Sequence, residues 1–240
     1  MNNIWFLRLQ KLLFSCLHPR CWGAIRLGVA PSIEHQRVLA NIDFDLLLDV
    51  GANRGQFSLM AKLIHPDVPV YAYEPLPNEA AVYRLVHDSC LDIKLHQMAL
   101  GDQEGTADIH ISARADSSSL LPIGEKQRSL FPETSEVGVA QVRVSKLDGL
   151  PEHWDRARQA LLKLDVQGFE LNVLRGARAA LTHCKYVYVE CSEVQLYSGQ
   201  ALRSEVETFL KEQGFSVQGR YNEHVVSGSL IQADYLFGRC

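Results

Sequence analysis

The stretch that settles the fold is "LLLDVGANRGQFS", Leu46 to Ser58. Three leucines run into Asp49, Val50 and Gly51, then into small or polar residues, Arg54 and Gly55, and finally into a segment with helical spacing. An unbroken apolar run of this kind suits a parallel strand buried on both faces. Glycine reaches positive φ and lets a ligand approach the backbone closely, and Asn53 is among the few other residues that tolerate the left-handed region. Gly51, Ala52, Asn53 and Gly55 are therefore the expected floor of a ligand site. The alternative is a strand-to-helix turn that needs glycine for packing alone.

Working outward, strand and helix signals alternate. "DLLLDV" (45–50), "VPVYAYEP" (68–75) and "DIKLHQMAL" (92–100) read as the first three strands. Helices are expected from about 54 to 64 and from a cap at Asn78 to about 86. "ALLKLDV" (160–166) is the fourth strand, followed by one helix carrying Leu171, Leu174, Ala177 and Leu181 on a single face, and "KYVYVEC" (185–191) is the fifth. A last helix over "ALRSEVETFLKEQG" ends at Gly214. "FSVQGRY" and "LIQADYLFG" then read as an antiparallel hairpin joined by a short Gly/Ser link.

Alternating β and α units imply an α/β fold, a doubly wound and mostly parallel seven-stranded sheet with helices on both faces, ending in an antiparallel β-hairpin. The segment from about 101 to 159 breaks the alternation. "GTADIHISA" and "VAQVRVSKL" read there as an extra two-stranded insertion between strands 3 and 4, around the serine-rich loop "RADSSSLLPIGEKQ". The domain reading is an N-terminal helical segment over 1–40 and one domain over 41–240.

At 240 residues and 47% hydrophobic, the chain can bury one sizeable core. Its formal net charge of −4 argues against a nucleic-acid partner gripped through phosphates. The six cysteines are scattered, without CxxC spacing, and suit reduced thiols in the cytoplasm. No apolar run is long enough to span a membrane. Before Glu34 there is no acidic residue, whereas Arg8, Lys11, Arg20 and Arg26 are basic. In residues 1–20, Arg8, Lys11, Ser15 and His18 share one helical stripe and leave a wide apolar face with Trp5, Phe6, Leu9, Leu12 and Leu13. Two expectations follow: the helix packs on its own domain over the cofactor cleft, or it lies as a peripheral contact on the cytoplasmic face of an anionic membrane. It makes a poor signal peptide, with charges inside the apolar region.

The glycine loop discriminates among ligands. A dinucleotide fingerprint needs glycine at 53 and 56, and a P-loop needs Gly-Lys at 56–57, where Asn53, Gln56 and Phe57 stand instead. That disfavours a nucleotide-binding oxidoreductase. D-x-G-x-x-x-G with an acid ending the second strand suits S-adenosylmethionine, whose ribose diol wants a carboxylate acceptor. Glu74 is that acid, nineteen residues past Gly55, and Asp49 is placed for the ammonium or sulfonium side. Met98 and Ala99, after the third strand, are candidates for the adenine pocket. Asp102 either bonds the adenine amine or shapes the turn with Gly101.

These blocks, with "YAYEPLPNEA", "HQMALGDQEG", "VSKLDGL", "LLKLDVQGFELNVLRGA" and "VYVECSEVQLYSGQ", resemble the FkbM family of methyltransferases over roughly residues 45–215. The resemblance implies a class I, Rossmann-like enzyme that uses S-adenosylmethionine to methylate a hydroxyl of a sugar, glycan, glycolipid or secondary metabolite. A closing hairpin belongs to that class. Where the family has Asp-Val-Glu-Gly, this chain has Gln167, which weakens any claim of position 167 to be a base or a metal ligand. A binding module without turnover is the competing reading. Methylation of nucleic acid is disfavoured by "DVQG" where an Asn/Asp-Pro-Pro loop belongs.

Methyl transfer requires an acceptor oxygen held near the methyl group and a base for its proton. Asp165, ending the fourth strand, is the leading candidate for that cleft and for cofactor binding, its alternative being a cap on the next helix. Glu190 is the second catalytic candidate. Asp165 with Glu190 or Asp148 has the chemistry for magnesium, but spacing assigns no metal. Ser117, Ser118 and Ser119 are candidate contacts to a hydroxyl-rich acceptor. Among His96, His110, His153, His183 and His224, none stands out as a base.

Overall fold

The structure is a computed structural model that describes residues 2–240, with the side chains of residues 9–151 and 153–240. Three N-terminal helices, α1 (Asn2–Leu17), α2 (Trp22–Arg26) and α3 (Gln36–Leu39), lead into β1 (Leu46–Val50), every residue of which is buried. Next come α4 (Gln56–Ile64), β2 (Val70–Tyr73), α5 (Pro77–Val86) and β3 (Ile93–His96). After the insertion, which carries α6 (Glu125–Leu130), the chain returns to β7 (Ala160–Leu164), then α7 (Glu170–Arg175), α8 (Arg178–Leu181), β8 (Cys184–Ser192), α9 (Arg203–Glu212) and the hairpin of β9 (Phe215–Val226) with β10 (Ser229–Arg239). The main sheet has seven strands in the order β3-β2-β1-β7-β8-β10-β9, parallel except for β10, which runs against both neighbours.

The strand order reverses between β1 and β7, so the ligand crevice of a doubly wound sheet lies beyond their carboxyl ends. Register lines up the groups that edge it. Val50 pairs with Tyr73 on one side and Leu164 on the other, so Gly51, Glu74 and Asp165 each stand one step beyond the paired ends. Leu164 pairs with Val189, which brings Glu190 to the same level, opposite Asp234 of β10. One sheet face buries Leu47, Ala72 and Leu161 against Phe57 and Met60 of α4. The other buries Leu48, Leu162 and Val187 against Leu174, Val206 and Leu210 of α7 and α9.

Several expected boundaries move, each for a local reason. The strand expected over 92–100 divides: Met98 N–H bonds back to the His96 carbonyl at 2.9 Å, a tight turn. The next two residues form β4 (Ala99–Leu100) in a second sheet, with β5 (Gly105–Ser112) and β6 (Glu136–Ser145). The insertion thus holds the two expected strands, β5 and β6, which pair with β4 from the stretch before it to make a three-stranded sheet. The single helix expected after β7 breaks at Gly176, where a Cβ would run into the carbonyl of Gly101. Asn78 does not cap α5. Leu76 does so with extended backbone, and Pro77 opens the helix with φ already set. The hairpin turns on Ser227 and Gly228 alone, φ +51° and +81°, the two-residue turn that matches strand twist.

Gly51 (φ +73°) is required by packing as well as by conformation, because a Cβ there would collide with the carbonyl oxygen of Asp165. Gly51→Ala is expected to lower stability to urea by about 3 kcal/mol or more. Gly138→Ala, whose new Cβ meets nothing within 4 Å, is expected to change it by less than about 0.5 kcal/mol. Equal stabilities for the two variants would contradict this packing.

Candidate active site

The crevice is a cavity of about 840 Å³ bounded by the loops after β1, β2 and β7, by β4, and by residues of the N-terminal segment and the insertion. Asn53 lies in the left-handed region (φ +48°). That turns its backbone N–H onto Glu74, whose Oε2 accepts it at 2.9 Å while Oε1 accepts the Leu76 N–H at 2.8 Å. Glu74 is buried, and that burial pushes its carboxyl up to about 7 against the pull of these two bonds. A carboxylate offers about four acceptor directions, so both oxygens retain capacity toward the cavity they line.

At the floor, Asp49 of β1 and Lys163 of β7 are register partners. The Lys163 ammonium lies 3.0 Å from Asp49 Oδ1 and donates to the Gly51 carbonyl at 2.8 Å, while Ser58 Oγ donates to Asp49 Oδ2 at 2.6 Å. Burial works against the charged lysine, but Asp49 first and then Asp165 outweigh it, and its pKa is held above the ordinary value. Lys163 lines the cavity and Asp49 does not. Lys163 is a functional candidate that the sequence reading passed over. Its signal was there, as one charged residue inside the apolar run "ALLKL".

On the β7 side, Asp165 lines the cavity and Glu190 stands behind it. Gln167 links them: its Nε2 donates to Asp165 Oδ1 at 2.6 Å and to Glu190 Oε2 at 2.9 Å, and its Oε1 accepts the Tyr197 hydroxyl at 2.9 Å. Burial first, then Asp165, Asp234 and Glu170, raise the Glu190 pKa well above a usual carboxyl. Asp165 is not a helix cap. Glu170 fills that place, its Oε1 accepting from Gly168 at 3.0 Å and Val166 at 3.3 Å.

Of the other sequence candidates, Gly51, Ala52, Asn53 and Ala99 line the cavity, whereas Gly55, Met98 and Asp102 do not. Gly55 is glycine because a Cβ would press on His87. Met98 packs with Tyr73 and Leu100 in the main core, and Asp102 sits half-exposed against Gly176. Asp148 receives the N–H groups of Ala179 and Ala180 at the start of α8. The serine loop is tied down: Ser119 Oγ donates to the Gln167 carbonyl at 2.6 Å, Ser118 Oγ accepts from Ser112 N–H at 3.1 Å, and the Ser117 carbonyl, 3.0 Å from the Tyr197 oxygen, shares that hydroxyl's single proton with Gln167 Oε1.

Nothing in the sequence singles out His35, yet it lines the cavity. Tyr188 donates its proton to Asp234 at 3.0 Å, and His35 Nδ1 lies 3.0 Å from the Tyr188 oxygen, 3.1 Å from Asn222 Nδ2 and 3.5 Å from Asp234 Oδ2.

The donor set fits S-adenosylmethionine. A buried carboxylate with spare acceptor capacity suits a ribose diol, Lys163 and Asp165 bear charges opposite to an amino acid's two ends, and Leu76, Ala99, Leu100 and Phe169 offer an apolar wall for a base. Fold and site together define a class I, Rossmann-like methyltransferase. The FkbM methyltransferase domain matches residues 49–217, and the chain belongs to that family.

Among its relatives, the 2-O-methyltransferase NoeI of Sinorhizobium fredii is 27% identical over 161 residues, 65% of this chain and 66% of that one. The 31-O-demethyl-FK506 methyltransferase FkbM of Streptomyces tacrolimicus is 30% identical over 199 residues, 72% and 73% of the two chains. Among solved structures, the magnesium protoporphyrin IX methyltransferase of Synechocystis aligns with a TM-score of 0.47 at 11% identity, over 87% of this chain and 81% of the other.

Lys163→Met is expected to strand the Asp49 carboxylate in a dry core and to cost about 3–5 kcal/mol in urea unfolding. The double variant Asp49→Asn/Lys163→Met should recover part of that loss. A single variant as stable as the parent would show that the pair carries no weight.

Proposed function

We propose that this protein is an S-adenosylmethionine-dependent O-methyltransferase acting on a hydroxyl of a sugar, glycan, glycolipid or secondary metabolite. The observation that carries the reading is Glu74, a buried carboxylate that lines the cavity at the end of β2. Transfer to oxygen is supported by the names of two relatives, 2-O and 31-O methyltransferases. It is supported also by the rim of the cavity, where Glu34, His35, Arg114 and Asp116 offer hydrogen bonds to a hydroxylated acceptor. Glu34 Oε2 is buried with no protein hydrogen bond among the described residues, while Oε1 holds Lys11 at 2.8 Å.

When bound, the donor supplies a methyl group on a positively charged sulfur. Glu74 would hold the ribose hydroxyls, Lys163 would pair with the donor's carboxylate, and Asp165 would pair with its ammonium. Gln167 keeps Asp165 in place and satisfies Glu190, which makes Glu190 a positioning residue. His35 Nε2 takes the acceptor's proton, Tyr188 and Asp234 orienting the ring through Nδ1; histidine is the commonest side chain in such a role. The free state of all six cysteines supports a reducing cytoplasmic location.

The sign of the pH dependence follows from Glu74. Its carboxyl, raised to about 7, protonates as pH falls, and the protonated acid accepts hydroxyls poorly. Calorimetric affinity for S-adenosylhomocysteine is expected to fall about tenfold from pH 8 to pH 6. Glu74→Ala should lose about a hundredfold at pH 8 and flatten the profile. Glu170, also raised to about 7, stays intact in that variant, so a slope that survives would be Glu170's. Tight binding by Glu74→Ala would overturn the assignment.

A further inference from the structure

The first helix is mounted inside out. Lys11, Phe14, Ser15 and His18 recur at helical spacing and face the protein: Lys11 pairs with Glu34, Phe14 packs on the core beside α4, and Ser15 is buried. The opposite stripe carries Leu9, Leu12, Leu13 and Leu17, which are 52%, 53%, 57% and 78% exposed. Of the expected apolar face, Trp5 and Phe6 lie outside the described side chains, as does Arg8. An amphipathic helix of a globular protein turns its leucines to the core. Here the polar stripe contributes Lys11 to the cavity wall and the leucines meet solvent.

The apolar surface is flanked rather than isolated. Trp22 and Leu27, in and just after α2, are 53% and 38% exposed, and Arg20 and Arg26 beside them are exposed too. From residue 1 to residue 33 the chain has no acidic side chain. No helix among the described residues is long and apolar enough to cross a membrane.

We propose that this surface docks on an anionic lipid bilayer, with the leucines of α1 in the acyl boundary, Trp22 at headgroup level and Arg20 and Arg26 on lipid phosphates. Leucine and tryptophan on one face with basic residues beside them is the composition of an interfacial helix. A second copy of the chain is the weaker occupant, because a two-fold pairing would bring Arg20 and Arg26 toward their own equivalents with no acidic residue of this segment between them. The docking places the cavity rim at Lys11 and Glu34 beside the lipid surface.

The test is flotation of the full chain with phosphatidylcholine vesicles, with and without about one third phosphatidylglycerol. Retention is expected on the anionic vesicles only and should weaken at high salt. Leu12→Glu/Leu13→Glu should abolish it, and Arg20→Gln or Arg26→Gln should each lower the partition coefficient about fivefold. None of these residues lines the cavity, so each variant should bind S-adenosylhomocysteine like the parent, which separates lost docking from lost folding and from any failure of the methyltransferase reading. No retention on anionic vesicles, retention unchanged in Leu12→Glu/Leu13→Glu, or a dimer in sedimentation that those two changes dissolve would each overturn the proposal.

Discussion

The ion pair between Asp49 and Lys163 joins β1 to β7 at the place where the strand order of the sheet reverses. Both side chains are buried in the strands that carry the site loops, and neither charge would be tolerated there alone. Together they neutralise each other, while Ser58 bonds the other oxygen of Asp49 and Tyr83 donates to Ser58 at 2.8 Å. Lys163 also donates to the Gly51 carbonyl, which ties the glycine loop to the strand bearing Asp165. Gly51 and Asp165 then touch so closely that no side chain fits between them. One electrostatic contact thus sets the distance between the two loops that bound the cavity.

Around that contact the carboxylates divide the work by environment. Asp49 neutralises a lysine, Glu170 collects two backbone N–H groups, and Glu190 is held behind Gln167. Glu74 and Asp165 remain facing the cavity. Gln167 explains how two acids tolerate each other at the end of β7 and β8, since its amide gives one hydrogen to each. A glutamate in its place would put a further carboxyl group beside these two acids and remove both donors.

The sheet was legible because burial imposes a pattern on sequence. β1 and β7 are wholly buried and read as apolar runs, and the acids one step beyond β2 and β7 mark the edge where ligands bind. What escaped were features fixed by contacts between distant segments. Met98 looked like a pocket residue, but the turn after His96 sends it to the core. Asp148 looked available and is a helix cap. His35 lies in a weakly patterned stretch, and only the folded chain brings it to Tyr188 and Asp234. The periodicity of α1 was plain, but periodicity gives a helix two faces without saying which one meets the protein.

The central claim is that Glu74 receives the ribose of a methyl donor lying across the ends of β1 and β2. The most direct measurement is a crystal structure of the chain with S-adenosylhomocysteine. Both ribose hydroxyls are expected within about 3 Å of the Glu74 carboxylate, with the ligand's sulfur on the side of Asp165 and His35. A ligand seated elsewhere, or one in this cavity whose ribose leaves Glu74 untouched, would contradict it.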